Sequence, residues 1–229
     1  MSHPTPGAAP DRAPTILTAL CGILGTVTLI GSFLLDPGPP PGSSVAQLIA
    51  FANQHHTAII LGSWLQGIGS LLTVVFALAL VHLAGATHRF AGWVTLLAGA
   101  SILGVSLVEI TFYLAGAEAA VTDDVAIGAA SSALITGVQH VFLIAPALLL
   151  PLGTVLLGSG VLPRAFAFLA LGLGVILQAL GLVGLFGALQ PVVDAVLIVQ
   201  GIWFLAAAVT LLVRPMHRAA PASIPHMVA

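Results

Sequence analysis

Charged side chains are scarce in this sequence of 229 residues. Only 5% of the residues are charged and 59% are hydrophobic, whereas an average soluble domain has roughly a quarter of its residues charged. A folded chain of this length cannot cover a water-facing surface with so few charges. The composition therefore excludes an ordinary water-soluble domain and predicts a surface that faces lipid.

Lysine is absent, and cysteine occurs once, as Cys21. Without lysine the chain cannot form a Schiff base with retinal or pyridoxal phosphate. One cysteine excludes an intrachain disulfide, a CxxC redox pair and a thiolate metal cluster, so Cys21 is expected to be a packing residue. The basic residues form no cluster that would bind nucleic acid, and the motifs HExxH, GxGxxG and the P-loop are missing. The sequence indicates no particular cofactor and no metal.

Apolar segments make up most of the chain. A membrane-spanning helix needs roughly 20 apolar residues, and six segments satisfy this length: Thr15–Leu35, Thr57–Leu83, Phe90–Ala117, Ala129–Leu157, Ala165–Ala188 and Val192–Val213. The prediction is an all-α membrane protein, a bundle of six transmembrane helices in one domain, 15–213. The flanking segments, 1–14 and 214–229, are rich in proline and are expected to be disordered cytoplasmic tails.

The arginines predict how the bundle is oriented. All of them fall on one side of the predicted bundle, at Arg12, Arg89, Arg164, Arg214 and Arg218. Since arginine marks the cytoplasmic side, both termini are expected in the cytoplasm. Abundant alanine, glycine, leucine and arginine without lysine is typical of a GC-rich bacterial genome. The expected location is the bacterial inner membrane, as a multi-pass protein.

The first outer loop contains a helix signal. Ser44 and Gln47 have the spacing of a capping box, in which each side chain satisfies a backbone N–H of the other residue. Apolar residues then follow at helical spacing, which predicts a short helix at the outer interface near 44–54. His55 and His56 come directly after it and are expected to lie in water, with a pH response or a surface metal as the alternatives.

Polar residues inside the apolar segments fall at one depth. An ionisable residue in the bilayer costs roughly 2.5–3.5 kcal/mol, and such residues usually pair or serve a function. At about 1.5 Å of rise per residue, polar residues of five helices lie in one layer of the outer half. The candidate ligand-binding or proton-linked residues are Glu109, His140, Gln66, Tyr113, Gln139, Gln178 and Gln200.

Glu109 and His140 are the pair expected to form the centre of this layer. Their depths match within about one helical turn, and their helices are joined by a short loop. Tyr113 shares a helix face with Glu109 because the two residues are four positions apart. Pro146 and Pro151 follow His140 and are expected to kink the fourth helix, because each removes a helical hydrogen bond.

Three functions fit these residues. The preferred one is a protein that binds or transports a small molecule, lipid or ion, with Glu109 and His140 as proton-linked contacts. The second is an accessory or structural subunit of a larger membrane complex, in which buried polar side chains only link helices. The third is a membrane enzyme that uses Glu109 and His140 as a general acid/base pair on a lipophilic substrate. The expected partners are the lipid bilayer, a small lipophilic ligand, and a second copy of the chain or a larger membrane complex, without nucleic acid.

Overall fold

The computed structural model describes residues 12–36, 38, 43–122, 124–144, 148–184 and 190–214, and only the backbone of 136, 139–144, 181, 182, 184, 190–194 and 196. Within these ranges all regular structure is α-helical, which confirms the all-α class. The helices are α1 (Ala13–Leu35), α2 (Val45–Leu83), α3 (Phe90–Val121), α4 (Val125–Ile144), α5 (Leu149–Leu157), α6 (Arg164–Gly184) and α7 (Gln190–Val213). The predicted tails lie outside the described residues, apart from Arg12 to Pro14 and Arg214.

Three of the described helices, α1, α2 and α3, are long and apolar enough to cross a membrane. Large hydrophobic side chains point away from the bundle along its length. Leu34 is 78% exposed and Phe90 is 83% exposed, and many more are exposed by two fifths or more. So much exposed apolar surface is unfavourable in water and favourable in lipid, which is consistent with a helical membrane protein.

The short helix predicted near 44–54 is present as the first part of α2, and a kink at His55 separates it from the rest of that helix. The backbone N–H of Gln47 donates to Ser44 Oγ, and the backbone N–H of Ser44 donates to Gln47 Oε1 at 2.8 Å, so the capping box is confirmed. The helix continues through a backbone break at His55 (φ −110°, ψ 15°) into the rest of α2. The break lies where the sequence predicts the short helix to end and the second apolar segment to begin. We call Val45–Gln54 the arm.

The fourth predicted segment, Ala129–Leu157, is described as helical up to Ile144 in α4 and again from Leu149 in α5, and residues 145–147 between them lie outside the described residues. Pro151 lies in the first turn of α5 as described. The kink expected in the fourth helix falls on residues 145–147, and it stays a prediction. Pro146 lies outside the described residues.

The helices form a closed bundle with antiparallel neighbours. Helix α1 packs on α2, and α2 packs on α3. Helix α3 packs on both α4 and α5, and these two pack on α6. Helix α6 packs on α7, which packs back on α1. One end of the bundle, which we call the arginine end, has four arginines at its helix termini: Arg12, Arg89, Arg164 and Arg214. Three acidic residues stand at the opposite end, which we call the acidic end: Asp36, Glu118 and Asp124.

The apolar core lies nearer the arginine end. Its members come from α1, α2, α5, α6 and α7, and include Phe76, Leu80, Leu152 and Phe204. The rings of Phe76 and Phe204 pack edge to face with centroids 6.2 Å apart. The side-chain hydrogen bonds between α2 and α3 lie on the other side of this core, towards the acidic end.

Two glycines set the spacing of α1 and α2. A Cβ atom on Gly25 would lie 2.8 Å from the backbone nitrogen of Thr73, and one on Gly69 would lie 2.8 Å from the backbone nitrogen of Leu29. Small residues allow transmembrane helices to approach to this separation. The close contact of α1 with α2 fixes the position of α2, from which the site is built.

Candidate functional site

The interface between α2 and α3 carries two side-chain hydrogen bonds. Gln66 Nε2 on α2 donates to Glu109 Oε2 on α3 at 2.8 Å. One turn nearer the arginine end, Ser70 Oγ and Ser106 Oγ are 2.9 Å apart and share a hydrogen bond. We call these four residues the polar interface. Two predicted site residues, Gln66 and Glu109, are thus in direct contact.

A third contact joins the same two helices nearer the acidic end. His56 Nε2 lies 3.7 Å from Glu118 Oε1. It is separated from the Gln66–Glu109 bond by ten residues on α2 and nine on α3, or about 14 Å along the helices. The sequence interpretation placed His56 in water and missed this contact, because nothing in the sequence sets the register of α2 against α3.

Three further polar groups lie in α1, α2 and α7. Thr28 Oγ1 of α1 would lie 2.8 Å from a Cβ on Gly69, which is next to Ser70. Thr73 Oγ1 and Gln200 Oε1 are buried and have no hydrogen-bond partner among the described residues. Each lies one turn from the Phe76–Phe204 contact, on its acidic side. Buried polar atoms usually have partners, so these two are suited to bind a polar group or water.

The expected pairing of Glu109 with His140 stays a prediction. Gln139 and His140 lie in α4, which packs on α3, but their side chains lie outside the described residues. Tyr113 is half-buried one turn from Glu109, and Gln178 is half-buried in α6. The structure therefore joins Glu109 to Gln66 and does not describe a contact with His140.

An apolar groove lies between α3 and α4. It has a volume of about 440 Å³ and is lined by Ser101, Gly104, Val105, Val108 and Val138, from α3 and α4. Glu109 follows Val108 in the sequence, so it lies about 100° further round α3. A molecule in this groove would lie next to the helix face that carries the carboxylate.

Asp36 is half-buried at the end of α1. Burial raises the pKa of its carboxyl group above the ordinary aspartate value, and two weaker effects oppose this rise. The backbone N–H of Gly38 donates to Asp36 Oδ1 at 3.3 Å, and His55 attracts the carboxylate. Asp36 is thus close enough to His55 for their charges to interact.

The described residues contain no group of three or more His, Cys, Asp or Glu side chains that could hold a metal ion. What they contain is a carboxylate with an amide partner, two hydroxyls that share a hydrogen bond, and three buried polar atoms without a hydrogen-bond partner among the described residues: His56 Nε2, Thr73 Oγ1 and Gln200 Oε1. This set suits hydrogen bonding and proton exchange. No protein-family model, curated protein or solved structure matches this chain, so its function has to be inferred from these contacts.

Proposed function

We propose that this chain is a six-span membrane protein that binds a small lipophilic molecule at the Gln66–Glu109 pair, with Glu109 exchanging a proton. The observation that carries the proposal is the 2.8 Å hydrogen bond between these side chains inside an apolar bundle. A carboxyl group is costly to place in the bilayer, and such groups commonly mark ligand or proton sites. The bond uses one oxygen, Oε2, and a carboxyl group has a second oxygen that can take a proton or a ligand donor.

The arginine end supports an orientation for this site. The described arginines all flank helix termini at this end, so we propose that the arginine end faces the cytoplasm, with both chain termini on that side. In this orientation the polar interface lies in the outer half of the membrane. A bacterial inner membrane is the location that the composition favours.

The groove between α3 and α4 supports a lipophilic ligand. Four of its five lining residues are valines or glycine, so an acyl or isoprenoid chain would bury apolar surface there. The polar end of the same molecule would lie near Glu109 and Gln66. A Cβ on Gly104 meets nothing within 4 Å, so Gly104→Leu would fill the groove without displacing a neighbouring helix.

The first test is native mass spectrometry of the protein extracted from its own membranes in a mild detergent. Wild type should carry a small molecule or lipid, and Glu109→Gln and Gly104→Leu should lose it while remaining folded. The matched control is Asp124→Asn, which makes the same chemical change in a residue that caps α4, since asparagine also caps helices. A ligand-free wild type, or a ligand retained by Glu109→Gln, would contradict the proposal.

The proton linkage has its own test. Dicyclohexylcarbodiimide reacts with protonated carboxyl groups in apolar surroundings, so its attachment to Glu109 reports proton exchange at that residue. We expect labelling of wild type that decreases as the pH rises, and none in Glu109→Gln. Labelling that does not vary with pH would show that Glu109 exchanges no proton with the solvent.

A structural role is the second candidate, and one observation favours it. In each of the Gln66–Glu109 and Ser70–Ser106 pairs, the two side chains satisfy each other's polar groups across the same helix interface. This is expected of side chains that only link helices. A subunit of a larger membrane complex would need no more than this. In that case Glu109→Gln would change stability or retention of a partner protein, with no ligand lost.

A further inference from the structure

The outward-facing side of α2 shows which of its polar side chains face the interior of the bundle. The exposed large side chains of α2 after the arm are Leu61, Trp64, Leu71 and Val75. Successive residues of a helix are rotated by about 100°, so Gln66 and Thr73 lie on the side of α2 opposite to this exposed stripe. Both therefore point into the bundle.

The same argument applies to one polar residue of α3 and one of α7. The exposed large side chains of α3 include Trp93, Leu96, Leu97, Leu107 and Val108, and those of α7 include Ile198, Val199, Ile202 and Val209. At about 100° per residue, Glu109 lies on the inner side of α3 and Gln200 lies on the inner side of α7. Both are only partly buried, so a polar group inside the bundle can approach them.

Gly22 of α1 gives α2 and α7 a common reference height. A Cβ on Gly22 would lie 2.9 Å from the ring of Phe76 on α2 and 2.7 Å from Cβ of Ala208 on α7. Counted from these contacts at about 1.5 Å per residue, Gln66 lies about 15 Å towards the acidic end and Gln200 about 12 Å. Gln200 is therefore at nearly the depth of the Gln66–Glu109 bond.

Two acceptor atoms at or below this depth have no hydrogen-bond partner among the described residues, Thr73 Oγ1 and Gln200 Oε1. Thr73 is 9% exposed. A threonine inside a helix can donate to a carbonyl oxygen of the preceding turn, as Thr26 does to Gly22, but Thr73 does not. Gly25 opposite has no side chain to cover this hydroxyl, since a Cβ there would lie 2.9 Å from Thr73 Oγ1.

The balance of charge around these atoms favours a positive ligand. Glu109 is the ionisable member of the set, and Gln66 occupies one of its two oxygens. The described arginine and histidine side chains lie towards the two ends of the bundle. On α2 the nearest of them, His56, is ten residues from Gln66, or about 15 Å along the helix.

We infer that the ligand of this site is a lipophilic amine, whose ammonium group lies between Glu109 and Gln200 with Thr73 Oγ1 as a further acceptor. An ammonium group has donors and no acceptor, and its hydrogen bonds to a carboxylate are charge-assisted. It would replace the proton of the Glu109 carboxyl group, and that proton would leave to the solvent, so the site stays neutral. The inference deepens the proposed function and rests on it.

The test compares three amphiphiles that share one alkyl chain and differ in the head group: dodecylamine, dodecanol and dodecanoate. Their binding is measured by isothermal titration calorimetry to the full chain in phosphatidylcholine nanodiscs, with the heat from empty nanodiscs subtracted. Wild type should bind dodecylamine at least about tenfold more tightly than the other two, because each hydrogen bond to a charged group adds about this much. Equal affinities, or tighter binding of dodecanoate, would overturn the inference.

Two variants each remove one proposed contact and keep a side chain of similar size. Gln200→Leu and Thr73→Val should each weaken dodecylamine binding by about tenfold. Their matched controls are Gln54→Leu in the arm and Thr111→Val on α3, both at exposed positions, which should bind like wild type. Wild-type affinity in folded Gln200→Leu would overturn the inference, and Thr73→Val decides if that variant does not fold.

Failure of this inference can be told apart from failure of the proposed function. If wild type carries a ligand that Glu109→Gln loses, but shows no preference for dodecylamine, the Glu109 site stands and its ligand is not an amine. If wild type carries no ligand and Glu109→Gln binds dodecylamine as wild type does, the proposed function fails together with the inference.

Discussion

Gln66 and Glu109 are 43 residues apart in the sequence, and Nε2 of the first donates to Oε2 of the second at 2.8 Å. The bond gives a half-buried carboxyl group a donor that water would otherwise supply. It also fixes the register of α2 against α3, because Ser70 and Ser106 meet one turn further along. The His56–Glu118 contact follows the same register towards the acidic end.

Removing the amide should cost more stability than neutralising the carboxyl group. Gln66→Leu leaves Glu109 without its donor and should destabilise the protein by about 1–3 kcal/mol. Glu109→Gln keeps an acceptor oxygen for Gln66 and should cost less than about 1 kcal/mol. Equilibrium unfolding of the purified variants by titration of mild detergent with dodecyl sulfate measures both. Equal losses for the two variants would argue against the assigned donor and acceptor.

The contact of α1 with α2 should not tolerate a methyl group at Gly69. In Gly69→Ala the new Cβ would lie 2.7 Å from Leu29 Cγ and 2.8 Å from the Leu29 backbone nitrogen. Separating the helices to relieve this overlap should cost about 1–3 kcal/mol. Gly104→Ala is the matched control, because its Cβ meets nothing within 4 Å. Thermal denaturation should show a lower melting midpoint for Gly69→Ala than for wild type, and an unchanged midpoint for Gly104→Ala. An unchanged midpoint for Gly69→Ala would contradict this packing.

Trp203 should contribute to stability in a way that Trp64 does not. Trp203 is 4% exposed, packs on Phe166 and Phe204, and donates from Nε1 to the carbonyl oxygen of Phe166 at 3.0 Å. Trp203→Phe loses this bond and leaves a gap, at a cost of about 1–3 kcal/mol. Trp64 is 62% exposed, so Trp64→Phe should unfold like wild type in the same denaturation assay. A larger loss of stability in Trp64→Phe than in Trp203→Phe would contradict the position of Trp203 in the core.

Asp36 should make the stability of the protein depend on pH. Burial raises the pKa of its carboxyl group in the folded protein, against the opposing Gly38 N–H and His55. The folded state therefore holds the proton more tightly than the unfolded state does. The resulting contribution to the free energy of unfolding is complete at pH values below the ordinary aspartate pKa. It is lost as the pH rises through the raised pKa of Asp36.

Asp36→Asn should remove that part of the dependence. Its side chain keeps an acceptor oxygen for the Gly38 N–H and has no charge to bury. Melting midpoints of wild type and variant, measured in steps from acid to neutral pH, should differ in slope over this range. Parallel profiles would show that Asp36 has the same affinity for a proton in both states.

The sequence by itself determined the class of the protein and the nature of its surface. So few charges among so many apolar residues leave only a bilayer to cover the outside of the fold, and helices satisfy their own backbone hydrogen bonds there. The capping box at Ser44 was equally predictable, because it depends on side chains three residues apart. Local patterns of this kind do not need the rest of the fold.

Tertiary structure decided which polar residues meet. Depth along each apolar segment placed Gln66 and Glu109 in one layer, but depth does not determine the rotation of a helix or its neighbours. The expected partner of Glu109 was His140, and the described partner is Gln66. His56 meets Glu118 for the same reason: the close packing of antiparallel helices sets their register, and that packing depends on residues far apart in the chain.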